Sequence, residues 1–436
     1  MVMFVLKVWL FLGTERGDAG NLYLCAHKSE LNDKNMKASM KQILIVGFIL
    51  LSTFKYQAQT SDGFYRTVNA FNGQYRVYYD SQQYDLAIQP LKDLVQFLDT
   101  TKVDVGERLV NAYKSDGYYN LACCYSLTHQ KKPALKALEQ AIQLGYKDYG
   151  HMKSDTDLDF IRKDRKFKAM HEQLHQFDHL FVLKSAGPYC EENVDSLPQF
   201  SYQSADDARL QMVREMFKLD SVAGQGNELS KIINILSFIH NTIRHDGNNY
   251  ALCEFDAIDF YNYHKATGKG INCRHLAIAL NEMYLSMGIP SRYVTCMPKD
   301  PDDPDCHVIN TVWSSELQKW IWIDPTFNAF VMDEHGVMLG IAEVRERLIE
   351  DRPLVLNEDA NWNNESKQTK EHYLENYMAK NLYYIECVVE SRFNPESRYR
   401  YAGSKYVRLL PLGFEIEDNE WEKSTHDEGY FWQAPK

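Results

Sequence analysis

The segment Gly268-Lys-Gly-Ile-Asn-Cys273 ends in a cysteine that opens an apolar helix, and two strand-like runs follow it. In Arg274–Met287, residues Leu276, Leu280, Tyr284 and Met287 share one helical face, and Gly288-Ile-Pro290 stops the helix. A cysteine at such an N-terminus meets unsatisfied N–H groups and the positive end of the helix dipole, and both favour a thiolate. Cysteine is also among the most buried residue types. Cys273, however, stands in a glycine-containing turn rather than on the apolar face, which favours a nucleophile over a core thiol.

A cysteine nucleophile needs an imidazole, and the imidazole needs a group to orient it. His307 opens the strand-like run Val308-Ile-Asn-Thr-Val-Trp313. Ser314-Ser-Glu316 reads as a turn, and Trp320-Ile-Trp-Ile323 as the returning strand, ending at Asp324-Pro325. A hairpin folded about the Ser315–Glu316 bond sets His307 directly opposite Asp324, with Cβ atoms about 4.5–5.5 Å apart. Cys273, His307 and Asp324 are therefore the candidate catalytic residues: nucleophile, general base and acid, and orienter. His275 lies two positions along the helix from Cys273, on a different face.

Three places, Gly270-Ile-Asn-Cys273-Arg-His-Leu-Ala277, His307-Val308 and Trp322-Ile-Asp324-Pro-Thr326, resemble the transglutaminase-like superfamily of papain-like cysteine enzymes. A looser likeness runs from about Glu228 to Arg347. The resemblance implies an α+β domain, with a nucleophile helix packed on an antiparallel sheet, and the same roles for Cys273, His307 and Asp324. It also implies an oxyanion-hole side chain upstream of the nucleophile, often Gln or Trp. Thr267 and Lys269 stand there, and neither is an obvious substitute.

Upstream, residues 60–180 read as helices. Tyr118, Leu121, Ala122, Tyr125, Ala134, Leu138 and Ala141 hold the offsets of a tetratricopeptide helix–turn–helix pair, with a weaker partner around Tyr78, Ala87, Leu91 and Leu94. Such an array offers a groove for a peptide or protein partner, or serves as a small helical cap packed on its own neighbour. Residues 181–203, with Gly187-Pro188 and Pro198, read as a linker, and residues 204–436 as the transglutaminase-like domain with a C-terminal extension. In the extension, Glu343–Arg347 reads as a short helix and Tyr373–Phe393 as an aromatic-rich stretch without chemistry.

At the start, Lys34, Lys37 and Lys41 precede apolar Ile43–Phe54 and a polar exit, the layout of a secretory signal over roughly residues 36–59. The apolar run is shorter than the about 20 residues a membrane span needs. Residues 1–59 are thus expected to be an over-extended start plus a signal peptide, giving an exported protein without stable membrane insertion. An uncleaved interfacial anchor is the alternative. A net charge of −12 without a basic run excludes a nucleic-acid partner.

None of the nine cysteines stand in Cys-x-x-Cys spacing, which excludes a zinc ribbon or a thioredoxin-like motif. Cys296 and Cys306 flank the acidic run Asp300-Pro-Asp-Asp-Pro-Asp305 and are placed to close a disulfide around it. That run reads as a solvated loop rather than a calcium site, since prolines break it and no glycine supplies the tight turn.

The expected function is a cysteine enzyme acting on amide bonds of a peptide or protein substrate through a thioester, without metal or organic cofactor. Hydrolysis is favoured over cross-linking. The rival readings are a non-catalytic peptide-binding module and an acyltransferase using a small thioester donor. The latter wants a phosphate-binding loop that the sequence lacks.

Overall fold

The computed structural model describes residues 60–190, 197–301, 303, 305–396 and 404–436. The expected leader over residues 1–59 lies outside them. The chain divides into two compact units between Gly117 and Tyr118. No helix among the described residues is long and apolar enough to cross a membrane.

In the first unit, α1 (Ser61–Asp80) and α2 (Tyr84–Thr100) form a helical hairpin. The Thr60 side chain caps α1 by accepting from the Gly63 N–H, satisfying a donor with no intrahelical partner. Phe64, Val68 and Phe71 recur at helical spacing and meet Leu94 and Leu98 in one core.

The division falls inside α3 (Glu107–Leu127), and α4 (Lys131–Gln143) follows it. Ala122, Ala134, Leu138 and Ala141 are fully buried in this helical pair. A helical N-terminal region is therefore present.

The remainder of the second unit is a sheet between helices. On one face of it lie α5 (Glu228–Thr242), α6 (Ala257–Thr267) and α7 (Cys273–Ser286). Its strands are β1 (Ser291–Met297), β2 (His307–Ser314), β3 (Lys319–Ile323), β4 (Tyr384–Val388), β5 (Tyr406–Leu409) and β6 (Glu422–Thr425), in the order β6-β5-β4-β1-β2-β3. The antiparallel sheet is interrupted at one edge, where β5 and β6 run parallel. Both faces are covered. Tyr293, Val308, Val312, Ile321 and Ile323 pack against α5, α6 and α7, while Val294, Ile309, Trp322, Ile385 and Leu409 form a second core on the other side. Burial on both faces extends to the polar Asn310 and Thr311 of β2, both fully buried.

Asn227, Asp256 and Asn272 cap α5, α6 and α7 with their side chains. Glu228, at the start of α5, receives the Ser315 and Glu316 N–H groups and the Ser314 hydroxyl, tying the β2–β3 turn to that helix. Residues 206–223, ahead of α5, do not form one continuous helix. The helix breaks at Lys218, whose φ of 51° leaves the helical region, between Ala208–Met216 and Leu219–Ala223.

Candidate active site

Two β2–β3 pairs, Ser314 with Lys319 and Asn310 with Ile323, fix the hairpin register. This register is two residues away from the one that sets His307 opposite Asp324. The turn spans Ser315–Gln318, with Gln318 at φ 53°, because four residues rather than two close the hairpin. A slip of two preserves the face on which each side chain points. His307 and Asp324 therefore still meet, diagonally, with His307 Nε2 donating to Asp324 Oδ2 at 2.7 Å.

Asp324 is fully buried and saturated with donors. Oδ1 accepts from the Thr326 N–H at 2.8 Å, and Oδ2 accepts from the Tyr373 hydroxyl at 2.6 Å as well as from His307. The Tyr373 oxygen in turn accepts from Trp322 Nε1 at 3.1 Å. The aromatic stretch expected to carry no chemistry thus supplies Tyr373 to the carboxylate. Phe327 and Tyr377 pack their rings on His307 at centroid distances of 5.6 and 5.2 Å. Both tyrosines sit on the π-helix Glu371–Met378, which sequence reading missed because its contacts are long-range.

With Nε2 engaged by Asp324, His307 has Nδ1 left for Cys273, and each of the two side chains shifts the ionisation of the other. Cys273 is half-buried at the first position of α7. Burial alone pushes its thiol up. Hydrogen bonds from His245 and His307, the charge on His307 and the Val308 N–H outweigh that and take it down to about 5. Burial opposes charge on His307 too, but the Asp324 carboxylate and the thiolate raise it to about 10. Both shifts run in the direction that favours a thiolate beside an imidazolium, with a buried carboxylate behind them.

His245 is the third imidazole, and sequence reading placed it only in a turn. Its backbone neighbours pair with the residues just before the nucleophile: Ile271 N–H donates to Arg244 O at 2.9 Å, and Asp246 N–H to Ile271 O at 2.8 Å. That pairing needs Gly270, since a Cβ there would lie 2.6 Å from Arg244 O. His240, on the last turn of α5, contacts Pro325 O and Asn361 Oδ1, each at 3.0 Å, and so links the Asp324 loop to the segment carrying Trp362.

The other sequence candidates lie elsewhere. The Thr267 hydroxyl donates to Tyr263 O, and the Lys269 carbonyl meets His264, so the two upstream residues serve the end of α6. His275 is buried among Tyr250, Phe255 and Phe260, and burial followed by the Arg274 charge lowers it to about 3, which keeps it neutral.

Cys296 and Cys306 are free thiols. Cys296 pairs with His307 in register, so the next residue outward, Cys306, projects to the opposite face and the disulfide does not form. The acidic loop is held instead by Lys380, which bonds Asp303 and Asp305. Among the described residues, Cys123, Asp155 and Asp157 bring metal-ligand atoms together. There, burial pushes the Cys123 thiol well up, and as a protonated group it donates to Asp155, a poor metal ligand in that state.

Against known proteins, residues 215–325 match the family model described as the Transglutaminase-like superfamily, a span that contains Cys273, His307 and Asp324. A chloroplast protein of Arabidopsis thaliana is 44% identical over 68 residues, 16% of this chain and 19% of that protein. A candidate cysteine protease from Cytophaga hutchinsonii, known as a crystal structure, is similar at 21% identity over 32% of this chain and 43% of its own, with a TM-score of 0.21. The chain spans less than half the length of either. Residues 215–325 form a transglutaminase-like domain.

Proposed function

We propose that the domain is a cysteine enzyme that cleaves amide bonds of a peptide or protein substrate through Cys273, His307 and Asp324. The observation that carries this reading is the fully buried His307 Nε2–Asp324 Oδ2 bond of 2.7 Å, next to a Cys273 thiol that its surroundings pull well below the ordinary thiol range. The Cys273 thiolate adds to the amide carbonyl. The His307 Nδ1 proton passes to the leaving nitrogen, the C–N bond breaks, and a thioester remains. Neutral His307 then takes a proton from water, the resulting hydroxide adds to the thioester, and the acid leaves as the thiolate and imidazolium return. An amine in place of water yields a cross-link. We take hydrolysis as the main outcome, with residues 60–180 as tetratricopeptide-like helices that dock a protein partner, and with export directed by residues 36–59.

The test is iodoacetamide alkylation of the full chain from pH about 4 to about 9, with modified cysteines mapped by mass spectrometry. Fast labelling confined to Cys273 at pH about 5–6, abolished in His307→Ala, is expected. Labelling of Cys273 with a midpoint near the ordinary thiol value of about 8.5 overturns the catalytic reading and leaves a binding module.

A further inference from the structure

Arg274 follows Cys273 directly, and its guanidinium is held by two partners. Nη2 donates to the Thr295 hydroxyl at 3.0 Å, and Nη1 to Glu396 Oε1 at 2.9 Å. The same Glu396 oxygen accepts the Tyr293 hydroxyl at 2.9 Å and the Tyr406 hydroxyl at 2.6 Å. Tyr293 and Thr295 are buried on β1, whose Cys296 pairs with His307 in register. Arg274 therefore ties the first turn of α7 to the strand beside the one that opens with His307.

Glu396 ends a strap that runs along α7. The Ser391 hydroxyl accepts from Asn281 Nδ2 at 2.9 Å and donates to Ser291 O at 2.6 Å, and the Asn394 N–H donates to Glu282 Oε1 at 2.8 Å. Asn281 lies about two turns beyond Arg274 and so on the same face of the helix. The helix is thus joined to β1 at two levels, by Ser391 at one and by Arg274 with Glu396 at the other. Only the second stands at the sulfur, in the turn where a helix has fewest bonds of its own and frays first. Glu386, opposite Thr295 on β4, is a further carboxylate near Arg274.

We infer that Arg274 and Glu396 are positioning residues: their ion pair pins the first turn of α7 to β1 and so holds Cys273 in place against His307. The inference rests on the catalytic reading above, and neither side chain enters proton or acyl transfer. A guanidinium near a thiol also favours the thiolate by charge alone. The two effects part at Glu396. Removing its negative charge bares the charge on Arg274, which by Coulomb attraction makes the thiol ionise more readily. Removing it as an anchor releases the first turn, and the thiol then ionises less readily because His307 no longer meets it.

The test is the pH profile of iodoacetamide labelling at Cys273 in the full chain, for wild type, Glu396→Ala and Glu396→Gln. In Glu396→Ala the midpoint should rise by about one pH unit, so that labelling at pH about 4, below both midpoints, falls about tenfold. Glu396→Gln, whose amide oxygen still accepts from Arg274, should restore the wild-type profile. A midpoint unmoved or lowered in Glu396→Ala, or one that Glu396→Gln fails to restore, overturns the inference. Should Glu396→Ala fail to fold, Thr295→Val decides. It removes the other anchor of Arg274 at constant charge and similar shape, and should raise the midpoint likewise; an unmoved midpoint there overturns the inference. The outcomes separate from failure of the triad. A wild-type midpoint near about 8.5 sinks the catalytic reading, whereas a low, His307-dependent midpoint that ignores Glu396→Ala sinks only this one.

Discussion

Tyr373 is the residue on which the orientation of His307 rests at one remove. Its hydroxyl donates to Asp324 Oδ2 at 2.6 Å while accepting from Trp322 Nε1, and all three side chains are fully buried. Replacing it with Phe removes a bond to a carboxylate and leaves the Trp322 N–H without its acceptor. Tyr373→Phe should therefore lose about 1.5–3 kcal/mol in urea unfolding. Low-pH labelling of Cys273 should survive, because His307 keeps its carboxylate. The thiol itself makes stability depend on pH. Its folded value of about 5 lies below its ordinary one of 9.0, so its contribution is full above the latter and is lost as pH falls toward the former. The stability advantage of wild type over Cys273→Ser should accordingly shrink between pH about 8 and about 5, read from urea unfolding in a pH series. Neither Tyr373 nor His245 was legible in the sequence, since each reaches the nucleophile or its partner across a long stretch of chain. Cys273 and His307 were legible because local signals placed them, a glycine turn before a helix and the first residue of a strand.

Between elements, the crossing of Arg244–Asp246 over Gly270–Ile271 sets where α7 begins and hence where the sulfur sits. A Cβ at Gly270 would lie 2.6 Å from Arg244 O and 2.8 Å from Asp246 Cβ, and backbone cannot yield as a flexible side chain does. Gly270→Ala should cost about 1–3 kcal/mol and shift His245 away from Cys273, so that low-pH labelling falls while far-ultraviolet circular dichroism is kept. Unchanged labelling would show that the crossing is not what positions the thiol. The β2–β3 hairpin illustrates a different limit of sequence reading. The two strand-like runs Val308–Trp313 and Trp320–Ile323 were visible, but the length of the turn between them was not. Glu228, far upstream, completes that turn by receiving the Ser315 and Glu316 N–H groups. The error of two residues did no harm to the pairing of His307 with Asp324, because side chains repeat every second residue along a strand.

Across the second unit, the C-terminal segment closes the core around a buried cation. Arg292, fully buried on β1, has its guanidinium carbon 4.5 Å from the Phe200 ring, 4.4 Å from Trp320, and 5.6 Å from both Phe431 and Trp432. Its Nη1 donates to Phe431 O at 3.0 Å. Among the described residues this guanidinium meets rings, a carbonyl and, at 3.7 Å, the Cys387 sulfur rather than a carboxylate, so cation–π attraction and one strong hydrogen bond offset part of its desolvation. Two of the four rings and the carbonyl come from residues 431–432, so this extension is part of the core and not an appendage. Deleting residues 431–436 should therefore destabilise the protein by about 3–5 kcal/mol, the cost of leaving a buried charge uncompensated. Arg292→Met in the full chain should be far milder, since a well-packed apolar side chain carries no such penalty. The decisive comparison is the double change. If the charge is what the tail protects, the deletion should cost markedly less in the Arg292→Met background, giving a coupling of about 1–3 kcal/mol in a double-mutant cycle followed by thermal and urea unfolding. Additive effects would mean that the tail contributes its own apolar area alone, and that the rings around Arg292 hold it without Phe431 and Trp432.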